Sequence, residues 1–227
     1  MNVLTPQTPE TWNAYVRSFA GWDIYYLCEY AVSLELHGDG EPLLLCFEHG
    51  AERMCYVVMR NDIADDPRFH GLLPAGRLFD LETPYGYGGP LTDAPLSPEA
   101  QQIFMEELRD YCLEQRIVTQ FLRYHPLLDN HGAVAPMTDT RYLRDTIYMD
   151  TASPELILAN MDSKNRNMVR KAQRSGVTVR EAPMSEYAPF LELYRQTMDK
   201  HSAEDYYTFG TSYFDLSLIH ISEPTRP

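Results

Sequence analysis

Two closely spaced apolar runs, residues 42–47 and 54–59, constrain the fold most. With their flanks, residues 41–48 and 53–59 read as two strands. His49-Gly50 between them marks an antiparallel hairpin, with a loop longer than the tightest kind. No apolar run approaches the roughly 18–20 residues of a membrane span, and no such span is expected. Residues 9–19 read as a short opening helix, and residues 77–82 as a strand running into the turn-rich stretch Thr83-Pro84-Tyr85-Gly86-Tyr87-Gly88-Gly89-Pro90. Ser97-Pro98-Glu99 supplies a cap, a proline at the first helical position and an early acid, so a helix starts there. Its apolar face is Phe104, Leu108, Tyr111 and Cys112. Residues 117–124 return as a strand closed by His125-Pro126, and residues 144–149 read as a further strand.

Ser153-Pro154-Glu155 repeats the helix-start signal, and the helix it opens is expected to run to about Ser175, with Gly176 as its stop. Residues 177–180 read as a short strand, and Tyr187, Phe190, Leu191, Tyr194 and Met198 mark a last amphipathic helix. Strands alternate with helices, so the class is α/β, or mixed α+β. The expected units are residues 1–150 and 151–215.

With 19 Lys+Arg against 33 Asp+Glu, the formal net charge is −14. That balance argues against a DNA partner but leaves room for a local basic patch. Hydrophobic residues at 44% exclude a disordered chain. The opening Met1-Asn2-Val3-Leu4-Thr5-Pro6 has neither the basic nor the apolar region of a secretory signal, so a cytoplasmic location is expected. Cys28, Cys46, Cys55 and Cys112 form no C-x-x-C pair, and Cys46 and Cys55 sit inside apolar strand-like runs. They read as reduced, buried thiols with no metal role. The tail from Leu216 to Arg226 resembles the in-frame translation of a transposon-type sequencing adapter. Residues 216–227 are therefore expected to be an artefact, and residues 1–215 a piece of a longer protein.

The sharpest chemical signal is Lys164-Asn165-Arg166-Asn167-Met168-Val169-Arg170-Lys171-Ala172-Gln173-Arg174. From Lys164 through Arg180 there are six basic residues and no acid, inside an acidic chain. On a helix Arg166, Arg170 and Arg174 form one stripe, with Ile157, Met161, Met168 and Ala172 roughly opposite and expected to be buried. Such a stripe is either a solvated face suited to the helix dipole or a site for phosphate or pyrophosphate groups. The Tyr85–Gly89 stretch is either a tight turn with packing tyrosines or a loop whose glycines let backbone N–H groups approach a ligand. It is neither G-x-G-x-x-G nor a P-loop. His125 at a strand end reads as a hydrogen-bonded structural residue rather than a general base. The acidic pairs Asp65-Asp66, Glu106-Glu107 and Glu204-Asp205 read as solvated charge.

These strings resemble one family. Ser153-Pro154-Glu155 through Lys164-x-Arg166-x3-Arg170-Lys171-Ala172-x3-Gly176-Val177-x-Val179 is similar to the opening of the second half of FemAB-like proteins, members of the GNAT acyltransferase superfamily that include a BioF2-like acetyltransferase domain. Asp80-x-x-Thr83-Pro84-Tyr85-Gly86-Tyr87-Gly88-Gly89-Pro90-Leu91 and Phe121-x-x-Tyr124-His125-Pro126-Leu127 also resemble that family. The resemblance implies tandem GNAT-like domains, the second incomplete, and transfer of an acyl or aminoacyl group to an amine. One branch modifies peptidoglycan precursors. It further implies no tightly bound cofactor, a donor that is acyl-CoA or aminoacyl-tRNA, and a small-molecule or muropeptide acceptor. The implied substrate-binding residues are Lys164, Arg166, Arg170, Lys171, Tyr85 and Tyr87. The Arg/Gln-x-x-Gly-x-Gly/Ala pyrophosphate loop of that superfamily is absent from residues 1–215. The alternative is a non-catalytic GNAT-like adaptor or RNA-binding module, with this stretch of chain inactive alone.

Overall fold

The computed structural model describes residues 1–135, 138–183 and 186–216. Contacts divide the chain into one unit of residues 1–140 together with the stretch from residue 203, and a second of residues 141–202. The expected tail artefact lies, apart from Leu216, outside the described residues.

The first unit is mixed α+β, built on one sheet. Its strands are β1 (Asn2–Leu4), β2 (Glu41–His49), β3 (Glu52–Asp62), β4 (Phe79–Glu82), β5 (Leu91–Thr92) and β6 (Ile117–Phe121). Its α-helices up to residue 140 are α1 (Pro9–Arg17), α2 (Cys28–Glu35) and α3 (Pro98–Glu114). The strand order is β1-β2-β3-β4-β6, with β5 also pairing β3. All pairs are antiparallel except β4 with β6. That parallel pair is connected through α3, the long crossover that parallel strands need.

The β2–β3 hairpin reads as continuous apolar sequence because both of its faces are buried. Leu44, Cys46, Cys55, Val57 and Met59 pack with Trp12, Val16, Tyr30 and Leu34 of α1 and α2. Leu43, Leu45, Phe47, Met54, Tyr56 and Val58 pack with Phe104 and Leu108 of α3. Alternate side chains thus feed two cores on opposite sides of one sheet. The hairpin loop is tighter than expected: His49 pairs with Glu52, leaving Gly50 and Ala51 as the turn. Gly50 makes this possible by adopting φ +61°.

Helix α3 follows its sequence signal. Ser97 Oγ accepts from the Ala100 N–H at 3.2 Å, and Ala100, Phe104 and Leu108 line its buried face. Helix α2 has no such signal, since Leu27 precedes it and supplies no side-chain cap. Its first turn is capped from α1, where Asn13 Oδ1 accepts from the Cys28 N–H at 3.0 Å. The three cysteines of the core are buried and free, with Cys112 half-buried. Burial pushes the Cys28 and Cys46 thiols up to about 12, which leaves them unreactive at neutral pH.

In the second unit the expected long helix is two helices, α4 (Pro154–Asn160) and α5 (Ser163–Arg174). Met161 is extended at ψ 145°, and Asp162 starts α5 by accepting from the Asn165 N–H at 2.7 Å. A side chain able to cap a new helix has won over continuation of the old one. The expected apolar stripe is broken with it: Ile157, Met161 and Ala172 are half-buried and Met168 is exposed. Gly176 ends α5 as expected. At φ +74° it permits the Val177 N–H to reach Ala172 O at 3.1 Å and its own N–H to reach Gln173 O. The expected strands at residues 144–149 and 177–180 are absent, and Ile147 and Val179 are each 96% exposed. A strand exists only as a hydrogen-bonded partner, and among the described residues nothing pairs with either segment. Helix α6 (Ala188–His201) follows, with Leu191 its buried residue. Back in the first unit, α7 (Thr211–Leu216) buries Phe214.

Phe104 is fully buried and meets Phe47 and Tyr56 edge-on, with ring centres 5.3 and 6.3 Å away. Phe104→Ala is expected to lower unfolding free energy by about 3–5 kcal/mol, read by urea denaturation of the whole chain.

Candidate functional site

Strands β4 and β6 end side by side at Glu82 and Phe121, and the chain after each strand builds the site. The carboxyl ends of adjacent parallel strands are where α/β sheets leave room for ligands. The pairing continues irregularly beyond the strands. The Thr83 N–H donates to Phe121 O at 3.0 Å, the Arg123 N–H to Thr83 Oγ1 at 2.9 Å, and the Gly88 N–H to Arg123 O at 2.9 Å.

The Tyr/Gly loop is shaped by its own surroundings. Gly86 has φ +102°, and a Cβ there would stand 2.5 Å from the Tyr25 ring. Gly89 has φ +82°, and its Cβ would meet Tyr124 at 2.8 Å. Buried Asn130 holds the loop from below, donating to Gly88 O at 2.8 Å and Pro90 O at 3.0 Å while accepting from the His125 N–H. Tyr30 OH donates to Tyr85 O at 2.6 Å. The glycines thus answer to close packing of Tyr25, Tyr124 and Asn130.

Beside this loop lies a cavity of about 150 Å³ whose lining includes Asp39, Glu82, Tyr85, Phe121, Arg123 and Tyr206. Tyr206 OH donates to Asp39 Oδ2 at 2.9 Å, and His37 Nε2 lies 2.7 Å from Tyr206 O, where it serves as donor. Burial raises the Asp39 carboxyl pKa above its ordinary value. Glu82 is raised as well, first by surrounding protein and then by the charges of Asp80 and Asp39. Tyr85 keeps 39% of its surface exposed, and its ring meets that of Tyr206 at 5.8 Å. Tyr87, half-buried, lies against Tyr25 at 5.8 Å and under the Arg123 guanidinium at 5.4 Å.

His125 is structural, as its sequence context indicates. The Leu127 N–H donates to Nδ1 at 3.1 Å, so Nε2 carries the proton and meets Asp23 Oδ2 at 2.7 Å. Both ring nitrogens are occupied, which leaves neither for a substrate.

The basic residues lie in the second unit, on α5. Arg166 is half-buried and turned back onto α4, where its Nη1 donates to Leu158 O at 3.3 Å, Ala159 O at 3.4 Å and Met161 O. It closes the carbonyl end of α4, a structural role that spacing alone does not reveal. Lys164, Arg170 and Lys171 are exposed, as is Arg174, and among the described residues none of these four forms an ion pair. Of the residues singled out in the sequence, Tyr85 and Tyr87 therefore share one loop of the first unit, and Lys164, Arg170 and Lys171 share one exposed helix of the second.

Sequence reasoning missed Asp39, Glu82, Arg123 and Tyr206. They are scattered along the chain without a motif, and only Glu82, as the last residue of an expected strand, carried any positional signal. Among the described residues no group of three metal-binding side chains gathers, and no helix is long and apolar enough to cross a membrane.

Two outcomes check this geometry. Asn130→Ala leaves two buried carbonyls without their donor and is expected to lower stability by about 2–4 kcal/mol in urea unfolding. Glu82→Gln is expected to leave the Tm at pH 7 unchanged or raised. A carboxyl whose pKa is raised by folding binds protons more tightly in the folded state, so its contribution to stability falls as pH rises through that pKa. A lower Tm in differential scanning calorimetry would contradict this.

No curated protein matches the chain, and no solved structure does. One family model does match: residues 129–223, under half of the chain, are similar to the FemAB family. The match begins beyond the Tyr/Gly loop, reaches into the tail from Leu216, and contains α5 with its basic residues, so it is the second half of the chain that is FemAB-like.

Proposed function

We propose that this chain is part of a FemAB-like acyltransferase that moves an acyl or aminoacyl group onto an amine, with peptidoglycan-precursor modification as its setting. The observation that carries the reading is the FemAB match over the stretch that presents Lys164, Arg170, Lys171 and Arg174 without carboxylate partners. Four exposed cations on one short helix suit an anionic substrate, whether the phosphates of a CoA or tRNA donor or the diphosphate of a UDP-linked acceptor. Arg166 supports the site indirectly, by fixing α4 to the start of α5.

The chemistry is attack of a neutral amine on an ester or thioester carbonyl. The new C–N bond forms, the C–O or C–S bond breaks, and the amine's proton leaves to a base. Donors aimed at the developing oxyanion lower the barrier. Tyr85 and Tyr87 are assigned to substrate contact in the first unit. A cytoplasmic location fits this reading, because charged tRNA, acyl-CoA and UDP-linked precursors are all cytoplasmic. Tandem GNAT-like domains are the architecture it implies.

A second reading, an RNA-binding module without chemistry, draws on the same unpaired basic face. It requires RNA affinity that falls steeply with salt.

The test supplies radiolabelled aminoacyl-tRNA or acetyl-CoA with a UDP-linked muropeptide and follows label into the acceptor. Transfer from either donor is the expected result. The double variant Arg170→Glu with Arg174→Glu is expected to raise the KM for the anionic substrate about tenfold or more. An unchanged KM would remove the anion site, and salt-sensitive RNA binding without transfer would favour the second reading.

A further inference from the structure

The cavity beside Tyr85 carries both signs of charge, which suits neither a phosphate nor a simple cation. Asp39 uses Oδ2 to hold Tyr206, and Glu82 uses Oε1 to accept from Asn61 Nδ2 at 3.3 Å. Among the described residues, Asp39 Oδ1 and Glu82 Oε2 accept no hydrogen bond. Arg123 lines the same cavity and meets no carboxylate among the described residues. Two free carboxylate oxygens can accept from two of the three N–H donors of a primary ammonium, and the Tyr85 and Tyr206 rings add a cation–π wall. A guanidinium is the natural partner of a carboxylate, through two parallel hydrogen bonds. Two carboxylates repel a phosphate, and a bare cation would leave the arginine without a carboxylate. At about 150 Å³ the cavity takes a group of only a few heavy atoms.

The geometry points to a binding site for a compact zwitterion, the ammonium–carboxylate head of an α-amino acid, with its ammonium on Asp39 and Glu82 and its carboxylate on Arg123. Binding of this head does not require the acyl-transfer reading. A donor assay and a binding assay therefore succeed or fail separately.

The experiment titrates the full chain with three probes of nearly equal size: alanine of either hand, propylamine and propionate. Binding is read by ligand-observed NMR at pH 7. Alanine is expected to bind at least about tenfold more tightly than either single-charge analogue. Asp39→Asn and Glu82→Gln should each weaken alanine about tenfold, and Arg123→Gln should erase its advantage over propylamine, with Arg123→Lys restoring part of it. Equal responses to the three probes, or an alanine affinity unchanged in the Asp39→Asn, Glu82→Gln double variant, would overturn the site. Thermal melts confirm that each variant is folded. Should one not fold, the comparison of probes on the unaltered chain decides alone.

Discussion

The β2–β3 hairpin is the constraint on which the first unit depends. Its register places Leu44 and Cys46 opposite Val57 and Cys55 for one core, and Leu43 and Leu45 opposite Val58 and Tyr56 for the other. A slip of β3 by one residue against β2 would turn its side chains to the opposite faces, moving Tyr56 toward the core of Trp12 and Leu34 and Val57 toward that of Phe104. The tight Gly50-Ala51 turn fixes that register locally, and β3 then pairs with β4 and β5 along its other edge. The position of Glu82 at the end of β4, and so the mouth of the cavity, follows from this one alignment.

Polar groups inside the first unit are placed by chain segments far apart in sequence. Asn130 joins the loop at Gly88 and Pro90 to the strand end at His125 and to Tyr26 OH. Asp23 and the Leu127 N–H occupy both nitrogens of His125. These bonds hold the Tyr/Gly loop from below and satisfy its Gly88 and Pro90 carbonyls within the protein, which leaves the side chains at its rim for recognition. Asp39 and Glu82 stand at that rim, each with one carboxylate oxygen engaged, by Tyr206 and by Asn61.

The second unit shows how one capping residue redirects a reading based on periodicity. Ile157, Met161, Met168 and Ala172 fall on one stripe only if the helix is unbroken. Asp162 interrupts it, and Arg166 leaves the basic stripe to cap α4. The remaining cations keep their exposure, and the anion-binding reading rests on them.

Much of the architecture was legible in the chain itself. The hairpin, the starts of α3 and α4 at Ser-Pro-Glu, the stop at Gly176 and the concentration of positive charge on α5 all depend on neighbours within a few residues, where backbone geometry, capping and periodicity act. Tertiary structure alone decided that Asn13 would cap α2, that the segments at residues 144–149 and 177–180 would remain unpaired, and that Asp39, Glu82, Arg123 and Tyr206 would meet around one cavity. Those outcomes depend on which strands pair and in what register, and on which helix lies across which face. No local propensity records such choices, because the energy that selects them comes from contacts between residues distant in sequence.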